Sequence, residues 1–295
     1  MNAKRPLPIE RIDNPSPGFF REHYLDRQRP VVITGVASRW PAVARWSPEW
    51  FREQMGEHRI TVERSRSERP SNDPLEFLRN RYYEEARLGG IIDVMLSGEH
   101  PPGAFYVTYS NIFQKAPALL KDFESLPRTL GIPESWPEAV KERLTLRPGF
   151  WLGPAGTVSA VHFDRQENFN AQVTGRKKWT LFSPEDSHHL YYPALELPTV
   201  IFSPVDVEAP DAQRFPRFAG AQPHETVLDA GEILFIPSGW WHHVRTLELS
   251  ISLNFWWWTL ASVATTARVN YHFVRKQALG LLGKKGTSGA SMPVE

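Results

Sequence analysis

The chain has 295 residues, near the upper size for one hydrophobic core, so we expect one large domain with appendages. Its 34 basic and 33 acidic side chains give a net charge of +1, which excludes a global field that would attract nucleic acid or anionic membranes. No cysteine is present for a disulfide framework, no apolar signal core opens the chain, and the longest apolar candidate, around 255–264, is too short to span a bilayer. We therefore expect a cytoplasmic protein with no nucleic-acid partner and no membrane partner.

The first hundred residues mix helix and strand. Residues 1–27 are predicted as an N-terminal segment with a short helix around 17–26. Within 28–100, the apolar run Val31–Ile33 predicts a buried strand. A serine followed by proline begins a helix at Ser47, because serine caps free N–H groups and proline fits the first turn.

A His-x-Asp pair, His162 and Asp164, lies near the middle of the chain in a predicted strand. Side chains two residues apart on a strand project from the same face. His242 follows a second apolar strand, 232–236, and the turn 237–239. Two imidazoles and one carboxylate can bind one face of a metal and leave the opposite positions open, as in non-haem Fe(II) oxygenases. A two-residue His-x-Asp pattern also arises by chance, and a lone histidine beside tryptophans is commonly a hydrogen-bonded core residue. The prediction of a metal site therefore depends on the segments that surround these residues.

A hairpin begins at this pair. Gly175 marks a turn between two strands of alternating polarity. Lys177, thirteen residues after Asp164, begins the returning strand, where a cation could meet the remote carboxylate of a dicarboxylate bound to the metal. By alternation, one of Lys177 and Lys178 should face solvent.

Residues 101–258 are predicted to hold a strand-rich barrel, interrupted by a proline-rich insertion at 193–223. A connection of this length without periodicity is usually functional or disordered. We predict a lid on the substrate side, with a structural loop as the alternative.

A helical segment, 259–283, follows the barrel, and 284–295 is predicted as a loose tail. Apolar or small residues recur in the segment at spacings of four and three, the period of a helix seam. The seam consists of Leu260, Ala264, Ala267, Tyr271, Val274, Ala278 and Leu281. It either joins two copies in a homodimer or packs onto the chain's own barrel.

Together these segments resemble the cupin-like branch of the jumonji-C (JmjC) oxygenases, whose nearest well-known relative is the asparaginyl hydroxylase called factor inhibiting HIF. The resemblance is carried by 29–42, 151–182, 231–242 and 253–256, and so covers most of 28–258. It implies a mainly β fold, with a double-stranded β-helix (jelly-roll) core over 28–258, N-terminal helices and a C-terminal helical segment. It also implies a homodimer formed through the C-terminal helices.

The resemblance implies roles for individual residues. His162, Asp164 and His242 match the iron ligands. His242 is chosen over His243 because the family ligand directly follows an aromatic pair, and His243 is expected on the opposite face of its strand. Lys177 matches the lysine that pairs with the far carboxylate of 2-oxoglutarate. Further co-substrate contacts are matched by Ser159, Asn168, Asn254 and Tyr106, with Tyr109 as an alternative to Tyr106.

By this resemblance the cofactor is Fe(II) and the co-substrates are 2-oxoglutarate and O₂, with succinate and CO₂ as products. The expected reaction hydroxylates a C–H bond of a protein side chain, with a small-molecule substrate as the alternative. Arg165 replaces the acidic residue of the asparaginyl hydroxylase, so its substrate contacts are not carried over. Two other classes stay open, a Zn²⁺-dependent hydrolase and a binding module that kept the barrel without the reaction.

Overall fold

The computed structural model describes residues 4–65, 76, 79–100, 105–108, 112–194 and 201–286, and their side chains up to 278 with the exception of Ser65. The α-helices are α1 (Pro17–Phe20), α2 (Pro41–Arg45), α3 (Pro48–Met55), α4 (Leu88–Ser97), α5 (Ile112–Lys115), α6 (Glu138–Leu144) and α7 (Leu260–Gly286). The first eight strands are β1 (Leu7–Pro8), β2 (Arg11–Asp13), β3 (Val31–Thr34), β4 (Arg59–Ser65), β5 (Arg81–Arg87), β6 (Phe105–Tyr106), β7 (Gly149–Gly153) and β8 (Val158–Phe163). The remaining strands are β9 (Glu167–Thr174), β10 (Lys177–Phe182), β11 (His224–Leu228), β12 (Ile233–Ile236), β13 (Trp241–Thr246) and β14 (Ser250–Trp257).

Two sheets face each other and form the core barrel. One sheet has five strands in the order β1-β11-β10-β13-β8, and the other has six in the order β2-β3-β12-β9-β14-β7. From β8 onward the chain passes repeatedly between the two sheets, except that β10 and β11 are neighbours in the five-stranded sheet, and the pairings among these strands are antiparallel. This topology is the predicted double-stranded β-helix. A third sheet, β5-β4-β6, lies outside this pair.

The inner strands of the six-stranded sheet, β3, β12, β9 and β14, are almost entirely buried, and their two faces differ in chemistry. Along β9, Phe169, Ala171 and Val173 join the largest apolar cluster, which also contains Phe20 of α1 and Phe51 of α3. The alternate residues of β9 are polar and buried as well, and they are Asn168, Asn170 and Gln172. Since side chains alternate along a strand, the helices cover one face and a polar interior remains between the sheets.

The N-terminal predictions are confirmed in their main features. The strand predicted at Val31–Ile33 is β3, and the short helix predicted around 17–26 consists of α1 followed by a π-helical turn, Arg21–Leu25. The side chain of Ser47 caps α3 by accepting a hydrogen bond from the backbone N–H of Trp50 at 3.1 Å.

The described part of the insertion, 193–194 and 201–223, packs against the outer face of the five-stranded sheet. Residues 201–203 pair with the free edge of β8, since the N–H of Phe163 donates to the carbonyl of Ile201 at 3.2 Å and the N–H of Ser203 donates to that of Val161 at 3.1 Å. Its role as a lid stays a prediction, and residues 195–200 lie outside the described residues.

Helix α7 buries the face opposite to the predicted seam. Ser262, Thr265 and Val269 are buried against the body of the protein, whereas Leu260 is 90% exposed and Val274 is 66% exposed. The other described seam residues, Ala264, Ala267, Tyr271 and Ala278, are exposed as well. The alternative in which the seam packs onto its own barrel is therefore wrong. Within the described residues, no helix combines the length and apolarity needed to cross a bilayer.

Candidate metal centre

Three metal-binding side chains converge between the sheets. Strands β8 and β13 are neighbours, and their register places His242 directly opposite His162, while Asp164 follows the end of β8. The ring centroids of the two histidines are 4.3 Å apart, and Nε2 of His242 lies 3.9 Å from Oδ2 of Asp164. One ligand atom from each of the three residues lies within 4.8 Å of the others, so a single ion can contact all three.

Both imidazoles are oriented by backbone carbonyls two residues earlier. Nδ1 of His162 lies 2.8 Å from the carbonyl oxygen of Ala160, and Nδ1 of His242 lies 3.1 Å from that of Trp240. A proton on Nδ1 leaves the lone pair of Nε2 free for a metal. Burial, together with the neighbouring His162, lowers the pKa of His242 to about 4, so this imidazole is neutral at pH 7. The neutral ring is the form that binds metals.

Two donors from the six-stranded sheet fix the carboxylate. Oδ2 of Asp164 accepts hydrogen bonds from Nδ2 of Asn168 at 2.9 Å and from Nε1 of Trp256 at 2.8 Å. Such contacts orient a ligating carboxylate before the metal arrives. Sequence reasoning missed Trp256, although its alternation with Phe255 and Trp257 on β14 places it on the interior face.

The predicted co-substrate residues Asn168 and Asn254 form a row of amides that ends at Asp164. Nδ2 of Asn254 donates to Oδ1 of Asn168 at 3.0 Å, and Nδ2 of Asn170 donates to Oδ1 of Asn254 at 2.8 Å. An ionised carboxylate only accepts hydrogen bonds, so Asp164 sets the direction of the whole row. At the far end, Oδ1 of Asn170 is buried without a hydrogen-bond partner among the described residues.

Lys177 lies at the other end of the cavity and is 1% exposed. Its Nζ donates to Oη of Tyr106 at 3.0 Å and to Oγ of Ser252 at 2.7 Å. In the described part of the chain, no carboxylate lies within ion-pair distance of Lys177, whereas its neighbour Lys178 pairs with Glu225 at 3.0 Å. Burial lowers the pKa of Lys177 to about 7. The structure thus places Lys177 inside and Lys178 outside, and it adds Ser252, which sequence reasoning missed.

These side chains line one cavity between the two sheets. Ser159 also lines it, on β8 opposite Val244. The full set is Tyr106, Trp151, Ser159, His162, Asp164, Asn168, Asn170, Lys177, Trp179, His242, Val244, Asn254 and Trp256. All eight predicted site residues are therefore brought together, and Tyr109 lies outside the described residues.

A second cleft adjoins the cavity and shares His162 and Asp164 with it. Glu63 of β4 and Tyr83 of β5 line one side of this cleft, and Ile201 and Phe202 of the insertion line another. The ring of Phe202 stacks on His162 with centroids 5.1 Å apart. The described part of the insertion therefore forms a wall beside the candidate metal centre.

His243 lies outside the cavity lining. It is 5% exposed, and burial lowers its pKa to about 4, while the nearby Glu208 of the insertion acts in the opposite direction. This placement agrees with the expectation that His242 and His243 project from opposite faces of β13.

Comparison with known proteins adds a family and several relatives. The family described as Cupin-like domain matches residues 16–262. Lysine-specific demethylase 8 of Xenopus tropicalis is 35% identical over 257 residues, covering 84% of this chain and 52% of that protein. Lysine-specific demethylase 8 of Danio rerio is 35% identical over 259 residues, covering 84% of this chain and 58% of that protein. The bifunctional peptidase and (3S)-lysyl hydroxylase JMJD7 of Homo sapiens is 29% identical over 279 residues, covering 85% of this chain and 84% of that protein. The chain thus spans little more than half the length of the two demethylase relatives.

Proposed function

Because the chain belongs to the Cupin-like domain family, we propose that it is an Fe(II)- and 2-oxoglutarate-dependent dioxygenase that hydroxylates a C–H bond of a protein side chain. One observation carries the proposal: a cluster of two histidines and an aspartate shares a single cavity with a buried ammonium group. The cluster suits an iron ion, and the ammonium suits a dicarboxylate that reaches it from the metal.

The donor set fits Fe(II). His162, Asp164 and His242 supply two nitrogen ligands and one oxygen ligand, the combination of non-haem Fe(II) oxygenases. Three protein ligands leave coordination positions for other molecules, whereas structural metal sites are closed by four. The backbone contacts of both Nδ1 atoms supply the orientation that metal-bound histidines usually have.

The surroundings of Lys177 fit a bound carboxylate. A buried ammonium without a counter-ion is costly, and two neutral hydroxyl partners offset only part of that cost. A carboxylate of 2-oxoglutarate at Lys177 would complete the charge pairing and accept a hydrogen bond from Tyr106. Ser159 offers a further hydroxyl on the same cavity wall.

When bound, Fe(II) with 2-oxoglutarate and O₂ supplies an oxidation in which the keto acid loses CO₂ to become succinate and one oxygen atom enters a C–H bond of the substrate. The protein's part is to hold the metal ligands and the co-substrate in place and to shield the cavity from water. Asn168 and Trp256 fix the carboxylate of Asp164, and Lys177 fixes the far end of the co-substrate. Trp151, Trp179 and Val244 wall the cavity and limit access of water.

The second cleft favours a basic side chain as substrate. Glu63 is 8% exposed there, and burial raises its pKa. Oη of Tyr83 donates to Oε2 of Glu63 at 3.0 Å, and Arg81 forms a long ion pair with the same oxygen at 3.8 Å, which acts on the pKa of Glu63 in the opposite direction to burial. The names of the relatives refer to lysine, which agrees with this chemistry, whereas the likeness to the asparaginyl hydroxylase stays a prediction. We expect Glu63→Gln to lower turnover of a lysine-containing peptide and to leave peptide-free 2-oxoglutarate consumption unchanged.

Hydrolysis is the second candidate, because the name of the human relative includes a peptidase activity. A Zn²⁺ ion on the same three ligands could activate water. A hydrolase, however, would have no use for the buried ammonium group of Lys177. A binding module without a reaction would have no use for the coordination positions that the three protein ligands leave free. A small-molecule hydroxylase would use the same metal centre and differ only in what fills the second cleft.

The deciding experiment is spectroscopic and anaerobic. Fe(II) and then 2-oxoglutarate are added to the protein, and the visible charge-transfer band of a metal-chelated keto acid is recorded, with His162→Ala as control. We expect a band in the wild-type protein alone. A wild-type protein that shows no band and instead holds Zn²⁺ tightly would favour hydrolysis or binding.

We also propose a homodimer through the exposed seam of α7. Tyr271 is 64% exposed and Val274 is 66% exposed, and an apolar stripe of this kind is expected to be covered by a partner. Val274→Glu should shift the protein to monomer in sedimentation or light scattering. Gln277→Glu, which places the same charge off the seam, is the matched control.

A further inference from the structure

Glu167, at the start of β9, is a buried carboxylate that takes no part in the proposed chemistry. Its side chain is 0% exposed, and burial raises its pKa, while its hydrogen bonds act in the opposite direction. No basic side chain among the described residues lies within ion-pair distance of it. Burying a carboxylate in this way is costly unless hydrogen bonds satisfy its oxygens.

Glu167 joins three segments that are distant in sequence. Oε1 accepts hydrogen bonds from Oγ1 of Thr259 at 2.7 Å and from Nε2 of Gln28 at 3.2 Å, and Oε2 accepts one from the backbone N–H of Ser238 at 2.8 Å. Ser238 lies in the turn between β12 and β13, four residues before His242. Glu167 therefore holds the turn that leads into a proposed ligand.

The same turn is fastened to the segment of the other proposed ligand. The N–H of Gly239 donates to the carbonyl of Asp164 at 3.0 Å, and Oγ of Ser238 contacts the carbonyl of Arg165 at 2.9 Å. We call the contacts between 164–167 and 238–239 the ligand clamp. Metal ligands must be held within a few tenths of an ångström, so this clamp bears directly on the separation of Asp164 and His242.

Helix α7 is part of the ligand clamp. Oγ1 of Thr259, which donates to Glu167, also accepts from the N–H of Ser262 at 3.2 Å and so caps the first turn of α7. One turn later, Oγ1 of Thr265 and Oγ of Ser238 share a hydrogen bond of 2.8 Å. Gly239 has φ +80°, and a Cβ at this position would lie only 3.4 Å from Oγ1 of Thr265, so the helix packs directly on the turn.

We propose that Glu167 is a positioning residue that sets the separation of Asp164 and His242 through the ligand clamp, and that the seating of α7 on the clamp is required for full metal affinity. The proposal rests on the proposed function, since it concerns the same metal centre. A purely structural role for Glu167 would lower the stability of the fold and leave the metal affinity of the folded protein unchanged.

The test is an anaerobic titration of the full chain with Co(II), followed by its visible ligand-field bands, alongside thermal unfolding. Glu167→Ala should weaken Co(II) binding by about 10–100-fold, the usual effect of removing a group that orients metal ligands. Glu167→Gln should restore part of the affinity, because the amide oxygen can accept from Ser238 and the amide N–H can donate to Thr259, while only the hydrogen bond from Gln28 is lost. Thr265→Val removes only the contact of α7 with the turn and should weaken binding by a smaller factor.

Asp122→Ala is the matched control. Asp122 is also a buried carboxylate, 5% exposed, and it accepts a 2.8 Å hydrogen bond from Nε1 of Trp46 and pairs with Arg45, away from the metal centre. The Asp122→Ala variant should be less stable than the wild type and should keep the wild-type affinity for Co(II). Wild-type affinity in both Glu167→Ala and Thr265→Val would overturn the inference. If Glu167→Ala fails to fold, Thr265→Val alone decides it, and a wild-type protein that binds no Co(II) would instead contradict the proposed function.

Discussion

The two sheets contribute different chemistry to the cavity between them. The five-stranded sheet supplies His162, His242 and Lys177, the groups proposed to bind the metal and the co-substrate carboxylate. The six-stranded sheet supplies Asn168, Asn170, Asn254 and Trp256, all neutral donors or acceptors, and its Ser252 contacts Lys177. Charged and metal-binding groups thus come from one wall, and the groups that orient them come from the other.

Both walls are buried to a similar degree, since Lys177 is 1% exposed, His242 is 3% exposed and Asn168 is 1% exposed. They differ in how their polar groups are satisfied: Lys177 has no carboxylate within ion-pair distance among the described residues, whereas the amides of β9 and β14 bond to one another. Neutral amides, hydroxyls and indoles cost less to bury when they bond to one another. We therefore expect the affinity for the metal and for 2-oxoglutarate to depend mainly on the five-stranded wall, and the orientation of the groups that bind them to depend mainly on the six-stranded wall.

The largest effect is expected from the two adjacent histidines of β13. His242→Ala should abolish Fe(II)-dependent 2-oxoglutarate turnover, because the metal loses one of three ligands. His243→Asn should retain it, since His243 lies outside the cavity lining. Turnover and circular dichroism of both variants check this, and equal loss of activity in two folded variants would contradict the assignment of His242.

The two adjacent lysines of β10 provide the next test. Lys177→Ala should weaken 2-oxoglutarate binding by about 1.5–3 kcal/mol, the contribution of a hydrogen bond to a charged group, with Fe(II) affinity unchanged. Lys178→Ala, which removes an ion pair with Glu225 on the outer face, should leave binding near the wild-type value. Isothermal titration under anaerobic conditions measures both, and unchanged affinity in Lys177→Ala would show that this residue is not the carboxylate partner.

The affinity for 2-oxoglutarate should fall as the pH rises above 7. Burial lowers the pKa of Lys177 to about 7 in the free protein, and a bound carboxylate favours the charged form and raises that pKa. Between the two values the complex therefore holds more protons than the free protein, and the affinity decreases by up to about tenfold per pH unit. Titrations between about pH 6.5 and 8.5 check the slope, which Lys177→Met should remove.

The smallest effect is expected on the six-stranded wall. Ser252→Ala removes the 2.7 Å contact with Nζ of Lys177, and we expect that contact to persist when the co-substrate binds. If the contact persists in the complex, its loss largely cancels in the affinity, which we expect to change by about 1 kcal/mol or less. A loss of 2-oxoglutarate affinity as large as that of Lys177→Ala would contradict the proposal that affinity depends mainly on the five-stranded wall.

Sequence reasoning recovered the groups with a local signature. The His-x-Asp spacing placed His162 and Asp164 on one side, and strand alternation predicted that only one of Lys177 and Lys178 faces solvent. It missed Ser252 and Trp256, although the same alternation points both inward. Their partners lie 75 and 92 residues away in the chain, and only the pairing of strands across the barrel decides which side chains meet.

Three patterns can be read directly from the sequence: the alternation along β9 and β14, the metal-binding residue types and the seam along α7. The packing of distant segments sets how these patterns face one another. It turned the seam outward and buried Ser262, Thr265 and Val269, because Thr259, Thr265 and Glu167 bond the opposite face of α7 to the turn before His242. A periodic stripe marks a surface suited to burial, whereas the partner that buries it depends on contacts between residues far apart in the chain.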